Sequence, residues 1–173
     1  MVRNLLMELA LTDLFRAKWS PAVHEEWMNA LAKDRPDISR EKLENIRNLI
    51  DTSVRDCLVT DYKSIIPSIS LPDVNDRHIL AAAVKGRCDL IVTYNLKDFP
   101  AEELAKLSIE AQHPDEFLCH LLDLSPGKVC AAVRVARTRF KNPPIGVGEF
   151  LATLEQASLV SFVANLRSFA EVI

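Results

Sequence analysis

Three aspartates, Asp73, Asp76 and Asp98, stand in one stretch, LPDVNDRHILAAAVKGRCDLIVTYNLKDFP, at 71–100. They bracket an apolar helix pattern and an apolar strand pattern, with Thr93 and Asn95 just beyond the strand. Two further acids, Glu25 and Glu26, lie in the segment WSPAVHEEWMNAL. Carboxylates that converge repel one another and raise each other's pKa unless a cation neutralises them. Oxygen donors of this kind suit Mg²⁺ or Mn²⁺ rather than zinc. Such a cluster can hold one or two cations that activate water and stabilise a phosphodiester leaving oxygen. Thr93 and Asn95 would orient an acid or a bound water through hydrogen bonds.

Each acid also has a purely structural account. Asp76 serves as a helix N-cap, and Asp73 as a turn residue beside Pro72. Asp98 caps the turn before Phe99-Pro100, and Glu25 and Glu26 are solvated acids favourable near a helix start. A strand terminus lies between these acids, however, and side chains at the carboxyl ends of parallel strands line the ligand crevice of α/β sheets. That placement favours chemistry for the set.

The elements that must position the acids can be read from periodicity. NLLMELALTDLFRAKWS reads as a helix running into a short strand. Ser20-Pro21 starts the amphipathic helix PAVHEEWMNALAKD. A third helix carries Leu43, Ile46, Ile50 and Val54 on one face. CLVTDY is a short strand, and Asn75 or Asp76 caps the helix DRHILAAAVKG, which Gly86 ends as a C′ glycine. DLIVTY and SIEAQ are further strands. Strands alternating with helices indicate a parallel sheet with crossover helices. From His113 onward the pattern is helical, with Ser125-Pro126 repeating the serine-proline start and a kink or loop at Asn142-Pro143-Pro144. The expected division is an α/β domain over 1–112 and a helical region over 113–173.

Composition excludes several classes. At 173 residues, 49% apolar and 26% charged, the chain matches globular averages and not disorder. No apolar run reaches a membrane span and no signal peptide opens the chain, so a cytoplasmic location is expected. Cys57, Cys88, Cys119 and Cys130 show no C-x-x-C spacing and read as reduced thiols. The four histidines form no zinc pattern. A net charge of −3 argues against broad nucleic-acid coating. With four glycines and neither a G-x-G-x-x-G nor a P-loop, a nucleotide-binding module is a weak reading.

The 71–100 stretch resembles the central motif of PIN-domain proteins, and within them the VapC-like branch. There a D-x-x-D-R-H-[IVL]-L-A-A-A helix leads to a [IV]-V-T-x-N-x-x-D-F strand end. WSPAVHEEWMNAL is similar to that family's second acidic helix, and RFKNPPIGVGEFLATLEQA to the helical C-terminal region of its longer members. The resemblance implies a three-layer α/β/α sandwich with a helical C-terminal appendage. It implies a Mg²⁺- or Mn²⁺-dependent endoribonuclease that leaves a 5′-phosphate and a 3′-hydroxyl. It also implies a toxin paired with a cognate antitoxin protein. Carried onto this chain, the metal-binding and catalytic acids are Glu26, Asp76 and Asp98, with Thr93 and Asn95 in support and the role of Asp73 left open.

One departure shapes the expectations. The family's first strand carries an aspartate in a pattern like L-[LI]-D-x-[NS]-[VI]-L, and none precedes NLLMELALTDLF; Asp13 reads as a surface acid late in the opening helix. A downstream start, truncation or gene degeneration would each explain this. A strand missing from the sheet leaves unpaired backbone groups, so either a homodimer contact that compensates or a compromised fold is expected. The alternative function is a catalytically impaired remnant that binds an antitoxin or a second copy of itself. For RNA contacts, Arg77 and Lys97 flank the acids, with Lys85 and Arg87 nearby and Tyr94 or Trp27 available to stack a base. Arg134, Arg137 and Lys141 read as a solvated helix face.

Overall fold

The computed structural model describes residues 1–173, which form two compact units: Ala17–Ala111, and Met1–Arg16 together with Gln112–Ile173. The first holds Glu25, Glu26, Asp73, Asp76 and Asp98. Its helix α2 (Pro21–Asp34) starts as expected, with Ser20 Oγ accepting from the Val23 N–H at 3.4 Å and proline in the first turn. Helix α3 (Arg40–Ser53) is capped by Ser39, whose Oγ accepts from Lys42 N–H. It turns Leu43 fully inward, with Ile46 and Ile50 half-buried along the same face. Helix α4 (Arg77–Gly86) follows a 3₁₀ turn at Val74–Asp76 and leads into strand β1 (Leu90–Val92). The short helix α5 (Ala101–Ala105) then crosses over to strand β2 (Glu110–Gln112). These two strands form a parallel pair, begun by the Glu110 N–H donating to the Asp89 carbonyl at 2.9 Å.

Leu80, Ala81, Ala82 and Ala83 of α4 pack with Val59, Tyr62, Ile69, Leu71, Ile91, Phe99, Leu104 and Ile109 in one core. The three consecutive alanines matter here. Small side chains allow α4 to lie close against the strand and the preceding 3₁₀ segment at Lys63–Ser68.

The fold is mixed α/β and rich in helix, with a sheet shorter than the strand patterns predict. CLVTDY contributes only a parallel bridge, with Trp19 N–H on Cys57 O and Val59 N–H on Trp19 O, both at 2.8 Å. The cause is local: Asp56 just before the segment and Asp61 within it have φ of 52° and 57°, left-handed conformations that end extended pairing. DLIVTY stops at Val92 because the Thr93 Oγ1 accepts the Asn95 N–H at 3.1 Å, folding the chain into a turn. Gly86 is the last residue of α4, and the left-handed cap is Arg87, with φ of 52° and ψ of 47°. What demands glycine at 86 is space, since a Cβ there would lie 3.0 Å from Val59 Cγ2 and 3.3 Å from Cys88 Sγ.

The second unit is helical: α1 (Val2–Ala10), α6 (Pro114–Leu124), α7 (Pro126–Thr138), α8 (Val147–Gln156) and α9 (Val160–Leu166). Helix α1 packs against α7, and α6 against both α7 and α9. Asp13 lies beyond α1, exposed and with φ of 56°. Leu5, Leu9, Leu118, Val129, Val133, Phe150, Phe162 and Leu166 are fully buried. The Asp115 carboxylate caps α9 from a distance, accepting the Ser161 and Phe162 N–H groups at 3.0 and 2.8 Å. Ser125 makes no side-chain cap bond, so the serine of Ser125-Pro126 does not act as Ser20 does. Asn142–Pro144 forms a loop, with a cis bond between Asn142 and Pro143. All four cysteines are free thiols. No helix is long and apolar enough to cross a membrane.

Candidate metal centre

The turn at Val74–Asp76 and the turn after β1 bring three acids together. Asp73, Asp76 and Asp98 are each half-buried, and one carboxylate oxygen from each lies within 4.8 Å of the others. The side chain of Asp76 makes no N-cap bond to α4, although its backbone occupies the cap position. Its carboxylate is left to face the other acids. Asp73 accepts the Asn75 N–H at 2.8 Å, which tightens the turn and fixes the direction of its carboxylate. Asp98 is held by Asn95, whose Nδ2 donates to Oδ2, and Asn95 is in turn anchored through its N–H on Thr93.

Electrostatics follow from this crowding. Burial pushes the Asp76 carboxyl above the ordinary aspartate range, repulsion from Asp73, Asp98 and Glu26 pushes it further, and His78 offsets part of the rise. A divalent cation would relieve the repulsion. The donor set fits Mg²⁺ or Mn²⁺, since it consists of hard carboxylate oxygens with no thiolate or imidazole among them. Asp73, Asp76 and Asp98 would hold such a cation, which would supply Lewis acidity there.

Glu26 is placed differently from the aspartates. It extends from α2, and its Oε1 accepts from His78 Nε2 at 2.7 Å, with the His78 ring mostly buried. It stands outside the group of acids whose oxygens lie together, yet close enough to Asp76 to act on its carboxyl. Glu25 pairs with Arg40 at 2.5 Å and is directed away into a surface ion pair. Thr93 and Asn95 sit in the turn described above. Arg77 is half-buried beside Asp76, with its Nε buried and unpartnered, while Lys97 is exposed next to Asp98. Trp27 donates through Nε1 to His24 Nδ1 at 2.9 Å. Arg134 is exposed on α7 opposite buried Val129, Ala132, Val133 and Ala136, and Arg137 donates to the Ile145 carbonyl.

A second set of contacts was not legible in the sequence, although Trp27 stands there as a candidate to stack a base. His24, buried on the inner face of α2, lies with Nε2 2.8 Å from Asp51 Oδ1 on α3. The same oxygen accepts the Trp19 Nε1–H at 2.8 Å. Because Trp27 donates to His24 Nδ1, the ring hydrogen sits on Nε2 and is donated to Asp51. These four side chains join the segment just before α2, α2 itself and α3, and so set the placement of Glu26's helix. No pattern in the sequence marks Asp51, which is one of several acids on a polar helix.

Comparison with known families adds a second line. A profile described as "PIN domain" matches residues 2–97, and one described as "VapC50 C-terminal domain" matches residues 114–168. The chain belongs to the PIN-domain family. Its PIN match spans both acidic segments as far as Lys97, and the second match covers the helices α6 to α9. A protein of Mycobacterium tuberculosis (strain ATCC 25618 / H37Rv) named "Putative ribonuclease VapC50" is 39% identical over 92 residues. That alignment covers 53% of this chain, which spans about half, 54%, of the relative's length. No solved structure matches significantly.

Proposed function

We propose that this PIN-domain chain is a Mg²⁺- or Mn²⁺-dependent endoribonuclease whose cation is held by Asp73, Asp76 and Asp98, with Glu26 beside them. The observation that carries the reading is the convergence of three half-buried carboxylates at the end of β1. The name of the Mycobacterium tuberculosis relative, "Putative ribonuclease VapC50", similar to the chain over about half its length, supports the choice of RNA as substrate.

Bound there, Mg²⁺ or Mn²⁺ supplies Lewis acidity toward a phosphodiester and toward the attacking water. The chain's own residues do the rest. Asp76 and Asp73 present oxygens from one turn, and Asn95 holds Asp98 so that its carboxylate faces them. Lys97, exposed beside Asp98, and Arg77, beside Asp76, supply positive charge for the RNA backbone. Half-exposed Tyr94 offers a ring face for a base. Water adds to phosphorus and the bond to the 3′ oxygen breaks, leaving a 5′-phosphate and a 3′-hydroxyl. By the same family resemblance, the chain would act as the toxin partner of a cognate antitoxin protein.

The test is cleavage of a structured RNA by the purified chain with Mn²⁺, with Mn²⁺ plus chelator, and by Asp76→Asn. Expected is cleavage lost on chelation and reduced at least about a hundredfold by the substitution, as losing a directly coordinating group implies. Equal cleavage by Asp76→Asn would show the mechanism to be wrong.

A further inference from the structure

Glu26 and His78 meet from different helices, α2 and the first turn of α4, and the two ends of the contact are unlike. The His78 side chain is only 15% exposed, whereas Glu26 is 56% exposed. An exposed glutamate ordinarily samples many rotamers. One bonded to a buried ring does not. His78 Nδ1 is buried and unpartnered, so no second bond pulls the ring elsewhere, and its Nε2 is committed to Glu26 Oε1. The helix carrying Glu26 is itself pinned on its opposite, inner face by the His24–Asp51 pair and the two tryptophans.

The contact lies at the acid group, since His78 follows Asp76 by two residues. It also repeats what holds the other acids. The Asn75 N–H fixes Asp73, and Asn95 Nδ2 fixes Asp98. In each case a hydrogen bond takes one carboxylate oxygen and leaves the second for another partner. Groups that bond to a ligating carboxylate in this way govern cation affinity without touching the cation.

We propose that His78 is a positioning residue that holds Glu26, a cation-binding acid by the family resemblance, next to Asp73, Asp76 and Asp98. This rests on reading the aspartates as a cation site. Binding of Mn²⁺ to the full chain by titration calorimetry tests it, comparing wild type with Glu26→Gln, His78→Leu, His78→Gln and the Glu26→Gln/His78→Leu double variant. Expected is a loss of about tenfold in affinity for Glu26→Gln and for His78→Leu. His78→Gln keeps an N–H donor at similar reach and stays within about threefold of wild type, and the double variant binds no more weakly than Glu26→Gln alone. Wild-type affinity in Glu26→Gln overturns the proposal. So does a His78→Leu loss that is equally large in the Glu26→Gln background, because the residue then acts through the fold. Should His78→Leu not fold, Glu26→Gln and His78→Gln decide the matter. No Mn²⁺ binding by the wild type would overturn the aspartate site itself, a separate outcome.

Discussion

Asp76 is the residue on which the site turns, and its titration is a measurable consequence. Burial first, then Asp73, Asp98 and Glu26, lift its carboxyl above the usual aspartate range. The folded chain therefore holds that proton more tightly than the unfolded chain. By linkage, folding stability falls as pH rises from the ordinary aspartate value through the raised one. Asp76→Asn removes this loss. Without divalent cation, the variant is expected to melt above wild type at about pH 8, with the gap closing towards about pH 3, where the carboxyl is mostly protonated in both states. Thermal melts in chelator across that range check it, and a variant that melts lower at both ends sinks the idea. Added Mn²⁺ should raise the wild-type midpoint more than the variant's, because only binding to the folded form stabilises. Asp76 and Asp98 were legible as candidates from their place around an apolar strand. The grouping of Asp73 with them was not, since it depends on a 3₁₀ turn that brings residues 73 and 76 to one side.

At the scale of elements, the end of α4 shows how spacing and packing divide the work. The sequence pattern assigns the helix end to Gly86, yet the left-handed residue is Arg87. A left-handed conformation costs an L-residue about 1 kcal/mol or more, so Arg87→Gly is expected to raise stability by about 0.5–1 kcal/mol in urea unfolding. Gly86→Ala has the opposite sign. Alanine ordinarily favours a helix by about 1 kcal/mol over glycine, but its methyl would press on Val59, which is buried in the core cluster. Overpacking of this kind costs about 1–3 kcal/mol, so a net loss is expected, and a clear gain would contradict the crowding. The strands tell the same story. The predicted 57–62 strand is cut short by left-handed Asp56 just before it and left-handed Asp61 within it, a conformation that β-propensity does not foresee.

For the whole molecule, the opening helix is the instructive element. It falls within the PIN-domain match, yet Met1–Arg16 folds in one compact unit with residues 112–173. Leu5 and Leu9 are fully buried there, and Arg139 pairs with the buried Glu8 at 2.5 Å. Leu5→Ala is therefore expected to cost about 2–5 kcal/mol in that unit. Hydrogen exchange should show α7 amides losing protection, and unchanged exchange in α7 would refute the packing. The sequence by itself determined most helical segments, the cores of the two strands β1 and β2, the serine-proline start of α2 and the acids worth watching, because periodicity, capping and motif spacing are local properties. Tertiary structure alone decided which oxygens meet. It set Asp73 with Asp76 and Asp98, turned Glu26 to His78 and Glu25 to Arg40, and tied His24 to Asp51. Each of those pairings joins a side chain's reach to a chain direction fixed by distant packing, and neither can be read from the residues in between.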